Sequence, residues 1–249
     1  MLRGKKLPML VVLSSSIVFL IAATTGLIGY VSLQNGRRAV EDVARQLQAQ
    51  VFVNIEEKLG DYLAMPHHLN QLNADILTQN PALLDNVDGF HPIYLRQLQA
   101  FDSVETLAIG MAKQGNFAGV GRRENGLFSH SLMKREQDST YRVYLVDSQD
   151  RIIRLLSEAP NYDARVRPWY LSAAQAGKAA WSPIYIWASA TDIGITAVLP
   201  IYDRAGNLLA VQQAALSLGF IAKFLQGLQI GKTGQVFLME QDGLLVSSS

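Results

Sequence analysis

Aromatic and arginine side chains are concentrated in one window of the sequence, residues 162–187. The chain has three tryptophans and nine tyrosines. All the tryptophans and three of the tyrosines lie in this window: Tyr162, Trp169, Tyr170, Trp181, Tyr185 and Trp187. Flat rings supply apolar area and oriented polar hydrogens, and the nearby Arg165 and Arg167 offer planar donor forks that match a carboxylate. This combination suits a pocket for a small anionic or zwitterionic molecule.

The same residues also have a purely structural interpretation. Trp169 and Tyr170 could pack a loop onto a sheet, while Arg165 and Arg167 are solvated or pair with Asp163. The residue types and their spacing leave both interpretations open.

Motifs for catalysis are missing from the sequence. Residues 231–233, Gly-Lys-Thr, resemble part of a phosphate-binding loop, but that motif requires a glycine where this chain has Gln226, and it opens a helix. The chain also lacks Gly-x-Ser-x-Gly, His-Glu-x-x-His and Gly-x-Gly-x-x-Gly. A hydrolase would depend on Asp163 and Asp192, which form no recognisable catalytic pattern. We therefore expect no enzymatic activity of this chain.

Composition argues against metal, cofactor and nucleic-acid binding. The chain has no cysteine, which excludes a thiolate metal site. His67 and His68 are adjacent, so on a helix they point in different directions, and no third ligand lies near them in sequence. We expect no metal and no cofactor. The 22 bases against 21 acids give a net charge of +1, without the basic excess of a nucleic-acid binder.

An uncharged apolar segment lies near the start of the chain. Residues 7–36 carry no charged side chain and are predicted to form a transmembrane helix, because about 20 apolar residues cross the hydrocarbon layer. A signal peptide has a shorter apolar region followed by an Ala-x-Ala site, which this segment lacks. More bases precede the segment (Arg3, Lys5, Lys6) than follow it (Arg37, Arg38). This bias predicts that residues 1–6 are a cytoplasmic tail and that the bulk of the chain lies in the periplasm, outside the inner membrane.

Residues 37–80 are predicted to form a long helix outside the membrane. Apolar residues recur there at three- and four-residue steps, at Val40, Val43, Leu47, Val51, Ile55, Leu59, Tyr62 and Leu63. This stripe could pack on the domain that follows it, form a homodimer seam, or do both. Pro66 should kink or interrupt the helix.

The pattern that follows predicts an antiparallel sheet. A second helix is predicted over residues 92–101, and short strands over 104–111, 117–121, 128–133, 141–146, 152–156, 193–202 and 208–218. Short turns join many of these strands, so they must pair antiparallel. The expected fold class is α+β, with the long helix packed on the sheet of a lobe at residues 81–230. A last hairpin pattern at residues 235–246 needs a further sheet, so we expect residues 231–249 to begin an incomplete second lobe.

These features, in this order, resemble the double Cache family of bacterial extracytoplasmic sensors. The resemblance rests on Asp-x-Arg-x-Arg-Pro-Trp-Tyr at 163–170, Trp-Ser-Pro-x-Tyr at 181–185, Leu-Ser-Leu at 216–218 and Gly-Lys-Thr-Gly-Gln-Val-Phe-Leu at 231–238. It covers nearly the whole chain after the apolar segment. It implies a PAS-like, membrane-distal lobe that binds a small molecule, with a cytoplasmic output such as a histidine kinase, a chemotaxis module or a nucleotide cyclase. A membrane-tethered binding protein without output is the alternative.

Some members of that family bind amino acids, and the resemblance implies which residues would do so here. Arg167 and Trp169 would hold the ligand carboxylate, and Tyr162, Tyr170 and Tyr185 would line the pocket. The family pattern also requires an aspartate directly before Leu-Ser-Leu for the ligand ammonium, where this chain has Ala214 and Ala215.

The missing aspartate changes the expected ligand. A buried ammonium without its partner loses roughly 1–3 kcal/mol, which is about ten- to a hundredfold in affinity. The sequence therefore predicts a carboxylate-bearing ligand without an obligatory α-ammonium, or a lobe that no longer binds amino acids tightly.

Overall fold

The computed structural model describes residues 9–123, 126–188, 192–228, 234–239, 243 and 245–248. Its α-helices are α1 (Met9–Gln79), α2 (His91–Ala100), α3 (Pro168–Ala176) and α4 (Leu218–Gln226). Short 3-10 helices occupy Pro81–Leu84, Val87–Phe90 and Ala164–Val166. The predicted tail at residues 1–6 and the Gly-Lys-Thr at 231–233 lie outside the described residues.

The described strands form one large sheet and one separate pair. They are β1 (Thr106–Met111), β2 (Phe117–Arg122), β3 (Phe128–Met133), β4 (Tyr141–Val146), β5 (Ile152–Ala159), β6 (Ala180–Trp181), β7 (Tyr185–Ile186), β8 (Ile193–Tyr202), β9 (Leu208–Ser217), β10 (Phe237–Met239) and β11 (Leu245–Ser248). The sheet order is β5-β4-β3-β2-β1-β9-β8-β6, with β7 also on β8, and β10 pairs with β11. The paired strands run antiparallel throughout, as the short turns predict.

The chain divides into two units, Met1–Glu56 and Glu57–Ser249. The described part of the first unit is helical and belongs to α1. Its apolar side chains lie on the surface, with Met9 84%, Phe19 74% and Leu27 64% exposed. By length and composition α1 could cross a membrane, and it is the one described helix that meets this criterion.

The second unit has a core on each face of its sheet. Side chains alternate along a strand, so Leu107 and Ile109 of β1 belong to one core and Ala108 belongs to the other. The first core is covered by α2 and by the end of α1, which contributes Leu69 and Leu77. The second core is covered by α3 and the segments around it, so this face carries the aromatic window.

Helix α1 continues through Pro66, so of the predicted kink or interruption at this residue the interruption does not occur. Proline removes one backbone hydrogen bond. On either side of it, Tyr62 and Leu69 are buried in the second unit. Because helices in proteins are held mainly by tertiary packing, these contacts can stabilise the turn despite the lost bond.

The sequence pattern predicts the strands better than the shorter helices. The strands at 128–133, 141–146 and 193–202 have the predicted bounds, and β5 extends three residues beyond its predicted end. The predicted strand 208–218 ends at Ser217, where α4 begins. Helices α3 and α4 were not predicted.

The C-terminal hairpin also forms. Its strands β10 and β11 pair, and Ser247 Oγ of β11 donates a hydrogen bond to the Leu218 carbonyl at the start of α4. Part of the predicted turn, residues 241–242, lies outside the described residues. The prediction that residues 231–249 begin a second lobe stays a prediction.

Candidate ligand-binding site

A cavity lies on the face of the sheet that carries α3. Its volume is about 70 Å³ when measured as the room open to the centre of a water-sized sphere. One ordered water needs roughly 10–15 Å³ on that measure, so the cavity has space for a small organic molecule. Its walls come from β1, β2, β3, β4 and β9 on one side and from the aromatic window on the other.

Aromatic rings form one wall of the cavity. Tyr141 and Tyr162 are stacked with their ring centroids 4.7 Å apart, and Phe117 packs against both at 5.6 Å. Trp169 follows at 6.2 Å from Phe117. Offset and edge contacts of this kind fix the positions of the rings relative to one another.

Local sequence rules explain why Arg167 reaches the cavity. Pro168 occupies the first turn of α3, and Gly177 ends the helix with φ +63, the left-handed geometry that glycine adopts readily. Arg167 is the N-cap residue, so its backbone is extended and its side chain leaves the helix axis. Its Nη2 donates to the Ile186 carbonyl at 3.2 Å. The guanidinium is half-buried and lines the cavity.

Tyrosine hydroxyls surround this guanidinium. Burial raises the pKa of Tyr185 to about 12 and the pKa of Tyr162 well above its ordinary value, while the charge of Arg167 acts in the opposite direction on both. Both phenols are therefore neutral at pH 7 and can donate hydrogen bonds. The Tyr185 hydroxyl is already 3.0 Å from Thr196 Oγ1, which fixes its ring beside the cavity.

Arg165 has a different position from Arg167. Its Nη2 donates to Asp163 Oδ2 at 2.7 Å, and its Nε donates to Asp163 Oδ1 at 2.9 Å. Asp163 also accepts from Arg135 Nη2 at 2.8 Å. These contacts hold the pKa of Asp163 below its usual value, with the Arg165 bonds as the main cause. Neither Arg165 nor Asp163 lines the cavity.

Of the five predicted site residues, Tyr162, Arg167, Trp169 and Tyr185 line this cavity. Tyr170 does not line it. The Tyr170 ring is buried beside Trp169, and its pKa is raised to about 12 by burial, with Arg165 acting in the opposite direction. Tyr170 therefore faces the Arg165 side of α3.

Gly110 of β1 lets the indole of Trp169 approach the sheet. A Cβ atom at position 110 would lie 2.9 Å from Trp169 Cη2 and 3.1 Å from the Ala164 Cβ. Real Cβ atoms do not approach neighbours so closely, so a larger residue at position 110 would displace the ring.

Several polar lining residues were not predicted as site residues, among them Glu105, Trp187, Asp192 and Gln213. Within the described part of the chain, the buried Trp187 Nε1 has no hydrogen-bond acceptor and the buried Gln213 Oε1 has no donor. Glu105 Oε2 accepts from the Ser217 backbone N at 2.8 Å. Burial raises the pKa of Glu105, and the charge of Asp192 adds to this effect. The signal that could have indicated Trp187 was its place in the aromatic window.

The position of the missing aspartate lies in the cavity. Ala215 lines it, whereas Ala214 points to the core on the opposite face. The alternation along β9 therefore assigns the aspartate of the family pattern to position 215. Gln213 lies two residues earlier on the same face and also lines the cavity.

Comparisons with known proteins agree with this architecture. Residues 123–223 match the family described as methyl-accepting chemotaxis protein-like, first PDC sensor domain. The ligand-binding domain of Mlp24, solved with asparagine, is 16% identical with a TM-score of 0.52, and the match covers 85% of this chain and 72% of that one. The amino acid chemoreceptor PctC of Pseudomonas aeruginosa PAO1, solved with GABA, is 18% identical with a TM-score of 0.48 over 75% and 69% of the two chains. The Campylobacter jejuni chemoreceptor Tlp3, solved with 4-methylisoleucine, is 14% identical with a TM-score of 0.45 over 82% and 66%.

The family match makes residues 123–223 similar to a PDC sensor domain of the chemotaxis-receptor type. The likeness to the Mlp24 domain shows the same fold across most of the chain. Together they confirm the predicted resemblance to extracytoplasmic sensor domains and the α+β fold.

Proposed function

We propose that this chain is the ligand-sensing input region of a bacterial membrane receptor and that its cavity binds a small carboxylate-bearing molecule. The observation that carries the proposal is the position of Arg167, which lines a cavity walled by Tyr162, Trp169 and Tyr185. A guanidinium binds carboxylates with two parallel hydrogen bonds, and a largely apolar wall strengthens them by excluding water. The solved proteins of similar fold include domains that hold asparagine and GABA, both of which carry a carboxylate.

Signalling follows from differential binding. A ligand shifts the equilibrium between two conformations only to the extent that it binds one of them more tightly. Any signal from the cavity to the apolar segment must pass along α1, because α1 is the covalent connection between the units. We infer an N-terminus in the cytoplasm, the second unit in the periplasm, and an output module such as a kinase, chemotaxis or cyclase domain. We expect no catalytic activity from this chain.

The arrangement of the two arginines provides the test. The 249-residue chain, purified in detergent, is screened by thermal shift against organic acids and amino acids. We expect stabilisation by carboxylates, which Arg167→Gln abolishes, since a bidentate charged bond is worth roughly 1.5–3 kcal/mol, or at least tenfold in affinity.

Arg165→Gln is the matched control. It removes the bonds to Asp163, so it should lower the melting temperature and leave the shift on adding ligand intact. Equal loss of ligand response in both variants would contradict the proposed role of Arg167. Stabilisation of the Arg167→Gln variant by the same carboxylates would contradict it as well.

One observation favours the alternative of a tethered binding protein without output. The rings of the aromatic wall are fixed by their packing on one another, as expected of a pocket that binds without rearrangement. Fusion of the chain to a kinase or chemotaxis output and measurement of ligand-dependent activity separates the two: a response supports the receptor, and binding without any response supports the tethered binder.

A further inference from the structure

Glu105 connects the cavity to the start of helix α4. Glu105 lines the cavity, and its Oε2 accepts a hydrogen bond from the Ser217 backbone N at 2.8 Å. Ser217 is the N-cap residue of α4. In a capping box this bond is accepted by a glutamate or glutamine three residues after the N-cap, where this chain has Phe220. Glu105, from a distant part of the chain, therefore does what that residue would do.

Helix α4 packs in turn against α1. The ring of Tyr62 on α1 stacks on Phe224 with ring centroids 3.9 Å apart, and it lies 6.5 Å from the ring of Phe220. Glu105 is close enough to Tyr62 for its charge to add to the effect of burial, which raises the pKa of Tyr62. A lining residue of the cavity, the start of α4 and the helix that leads to the apolar segment therefore meet at Glu105.

Several groups act on the charge of Glu105, with opposite signs. Burial is the largest cause and raises the pKa of Glu105, and the charge of Asp192 adds to this effect. The hydrogen bonds from Ser217 and the charge of Arg123 lower the pKa, but the net direction is upward. An open groove beside the cavity, which Glu105 also lines, carries the bases Arg122, Arg123, Arg154 and Lys223. Because burial is the largest cause, a further loss of water around Glu105 favours its protonated form.

A carboxylate ligand held by Arg167 changes both the water and the charge around Glu105. It excludes water from the cavity, and it brings a negative charge into the space that Glu105 lines. Both changes disfavour an ionised carboxylate, so Glu105 takes a proton from solvent onto its carboxylate. The Ser217 N–H then donates to a neutral carboxyl group, which is a weaker acceptor. The N-terminus of α4 also loses a nearby negative charge, which stabilises a helix at this end.

We propose that Glu105 couples the cavity to α4: binding of a carboxylate ligand is accompanied by protonation of Glu105, which loosens the start of α4, the helix on which Tyr62 of α1 packs. This inference rests on the proposed function, because it needs a carboxylate in the cavity. Coupling of this kind is reciprocal, so protonation of Glu105 strengthens ligand binding by the same factor as ligand binding strengthens protonation. The ligand can therefore act on α1 without touching it.

Isothermal titration calorimetry with pentanoate measures this coupling on the 249-residue chain in detergent. Titrations in phosphate and in bis-Tris, two buffers that differ in ionisation enthalpy, give the number of protons taken up on binding. We expect net uptake of up to about one proton per pentanoate near pH 6. The ligand raises the pKa of Glu105, so binding is tightest where Glu105 is protonated already. The affinity should fall by at least about threefold between about pH 6 and about pH 8.

Variants assign the proton to Glu105. Glutamine has the shape of a glutamic acid without its charge, so Glu105→Gln should bind pentanoate at pH 8 within about twofold of the affinity of the unsubstituted chain at pH 6, without proton uptake. Loss of a merely structural contact would weaken binding at both pH values. Glu158→Gln is the control, because Glu158 is an exposed carboxylate on β5 that does not line the cavity. It should keep the proton uptake and the pH profile of the unsubstituted chain.

Hydrogen exchange of the backbone amides of Ser217 and Phe220 measures the effect on α4. The Ser217 amide is bonded to Glu105, and the Phe220 amide is bonded to Ser217 Oγ. Pentanoate should speed the exchange of these amides by at least about threefold at pH 7. In Glu105→Gln the exchange should already be fast before pentanoate is added, and it should not change on binding.

The outcomes separate the two proposals. Pentanoate binding that depends on Arg167 without proton uptake overturns this inference and leaves the proposed function standing. Proton uptake that persists in Glu105→Gln overturns it too, since another group would then bind the proton. If Glu105→Gln does not fold by circular dichroism, the proton count and the amide exchange of the unsubstituted chain decide. If pentanoate does not bind, or Arg167→Gln changes nothing, the proposed function fails and this inference fails with it.

Discussion

Two arginines of one short motif show how position decides chemistry at the scale of single residues. Arg165 forms an ion pair with Asp163. Arg167, two residues later, lines the cavity together with Tyr162 and Tyr185. From the sequence alone, either arginine could be solvated, pair with Asp163 or bind a ligand. The choice depends on the turn at residues 164–166 and on the start of α3, neither of which the residue types alone specify.

A pair of buried histidines makes the stability of the second unit depend on pH. The rings of His91 and His130 are stacked with centroids 4.1 Å apart, and His91 Nε2 donates to the Ser131 carbonyl at 3.2 Å. Burial lowers the pKa of each to about 4, and the neighbouring His130 adds to the effect on His91. Asp150 Oδ1 lies 2.7 Å from His130 Nε2, and the charge of Asp150 opposes the lowering of the His91 pKa.

The sign of the pH effect follows from these shifts. The folded state binds protons more weakly than the unfolded chain, so the stabilisation is complete above about pH 6.5 and is lost as the pH falls towards 4. We expect the free energy of unfolding to decrease by roughly 3 kcal/mol per histidine between pH 7 and pH 4. Urea unfolding followed by tryptophan fluorescence measures this change. The doubly substituted His91→Phe, His130→Phe chain should show a flatter profile; an unchanged profile would contradict the assignment.

At the scale of elements, the hairpins could be predicted and the short helices could not. Period-two alternation and turn residues such as Asp203 and Gly206 specify β8, β9 and their connection locally. Helix α3 has only nine residues, and its periodicity is too short to stand out. The start signal at Pro168 and the stop signal at Gly177 were present and would have indicated it.

The cavity could be predicted only in part, because some of its lining residues are distant from one another in sequence. Tyr162, Arg167, Trp169 and Tyr185 come from one sequence window, so their clustering is visible in the sequence. Glu105 comes from a segment far from that window in sequence. The pairing of β1 with β9, which places Thr106 opposite Ala215, brings it there. The pairing of strands that are far apart in sequence is determined only when the sheet assembles, so the sequence around Glu105 contains no pattern that indicates it.

Helix α4 offers a test of an element boundary. Ser217 is its N-cap residue, and its Oγ accepts a hydrogen bond from the Phe220 backbone N at 3.1 Å. Ser217→Ala should therefore lower the free energy of unfolding by about 1 kcal/mol. Ser172→Ala is the control, because Ser172 lies inside α3 and only donates to the Pro168 carbonyl, a bond that adds little. Equal effects of the two substitutions in urea titrations would contradict the capping role.

At the scale of the whole molecule, the two units are assigned to different environments. The first unit exposes apolar side chains along α1, while the second has two buried cores. Apolar surface of this kind is stable in a lipid bilayer and costly in water. This difference favours the membrane for the first unit and water for the second, and the proposed topology has the second unit in the periplasm.

The absence of cysteine allows this topology to be measured without background. Ser148 lies on the exposed turn between β4 and β5. In intact spheroplasts, a membrane-impermeant maleimide should label a Ser148→Cys chain within minutes and should leave a Gly4→Cys chain unlabelled until the membrane is lysed. The reverse pattern would place the second unit in the cytoplasm and contradict the receptor topology.

The central claim, that Arg167 binds the carboxylate of a ligand, is tested most directly by a crystal structure with a bromine-substituted carboxylate located from its anomalous signal. The account predicts the carboxylate oxygens about 2.7–2.9 Å from the Arg167 guanidinium nitrogens, between the rings of Tyr162 and Tyr185. A carboxylate bound elsewhere on the second unit, with Arg167 turned to solvent and the cavity filled by water, would contradict it.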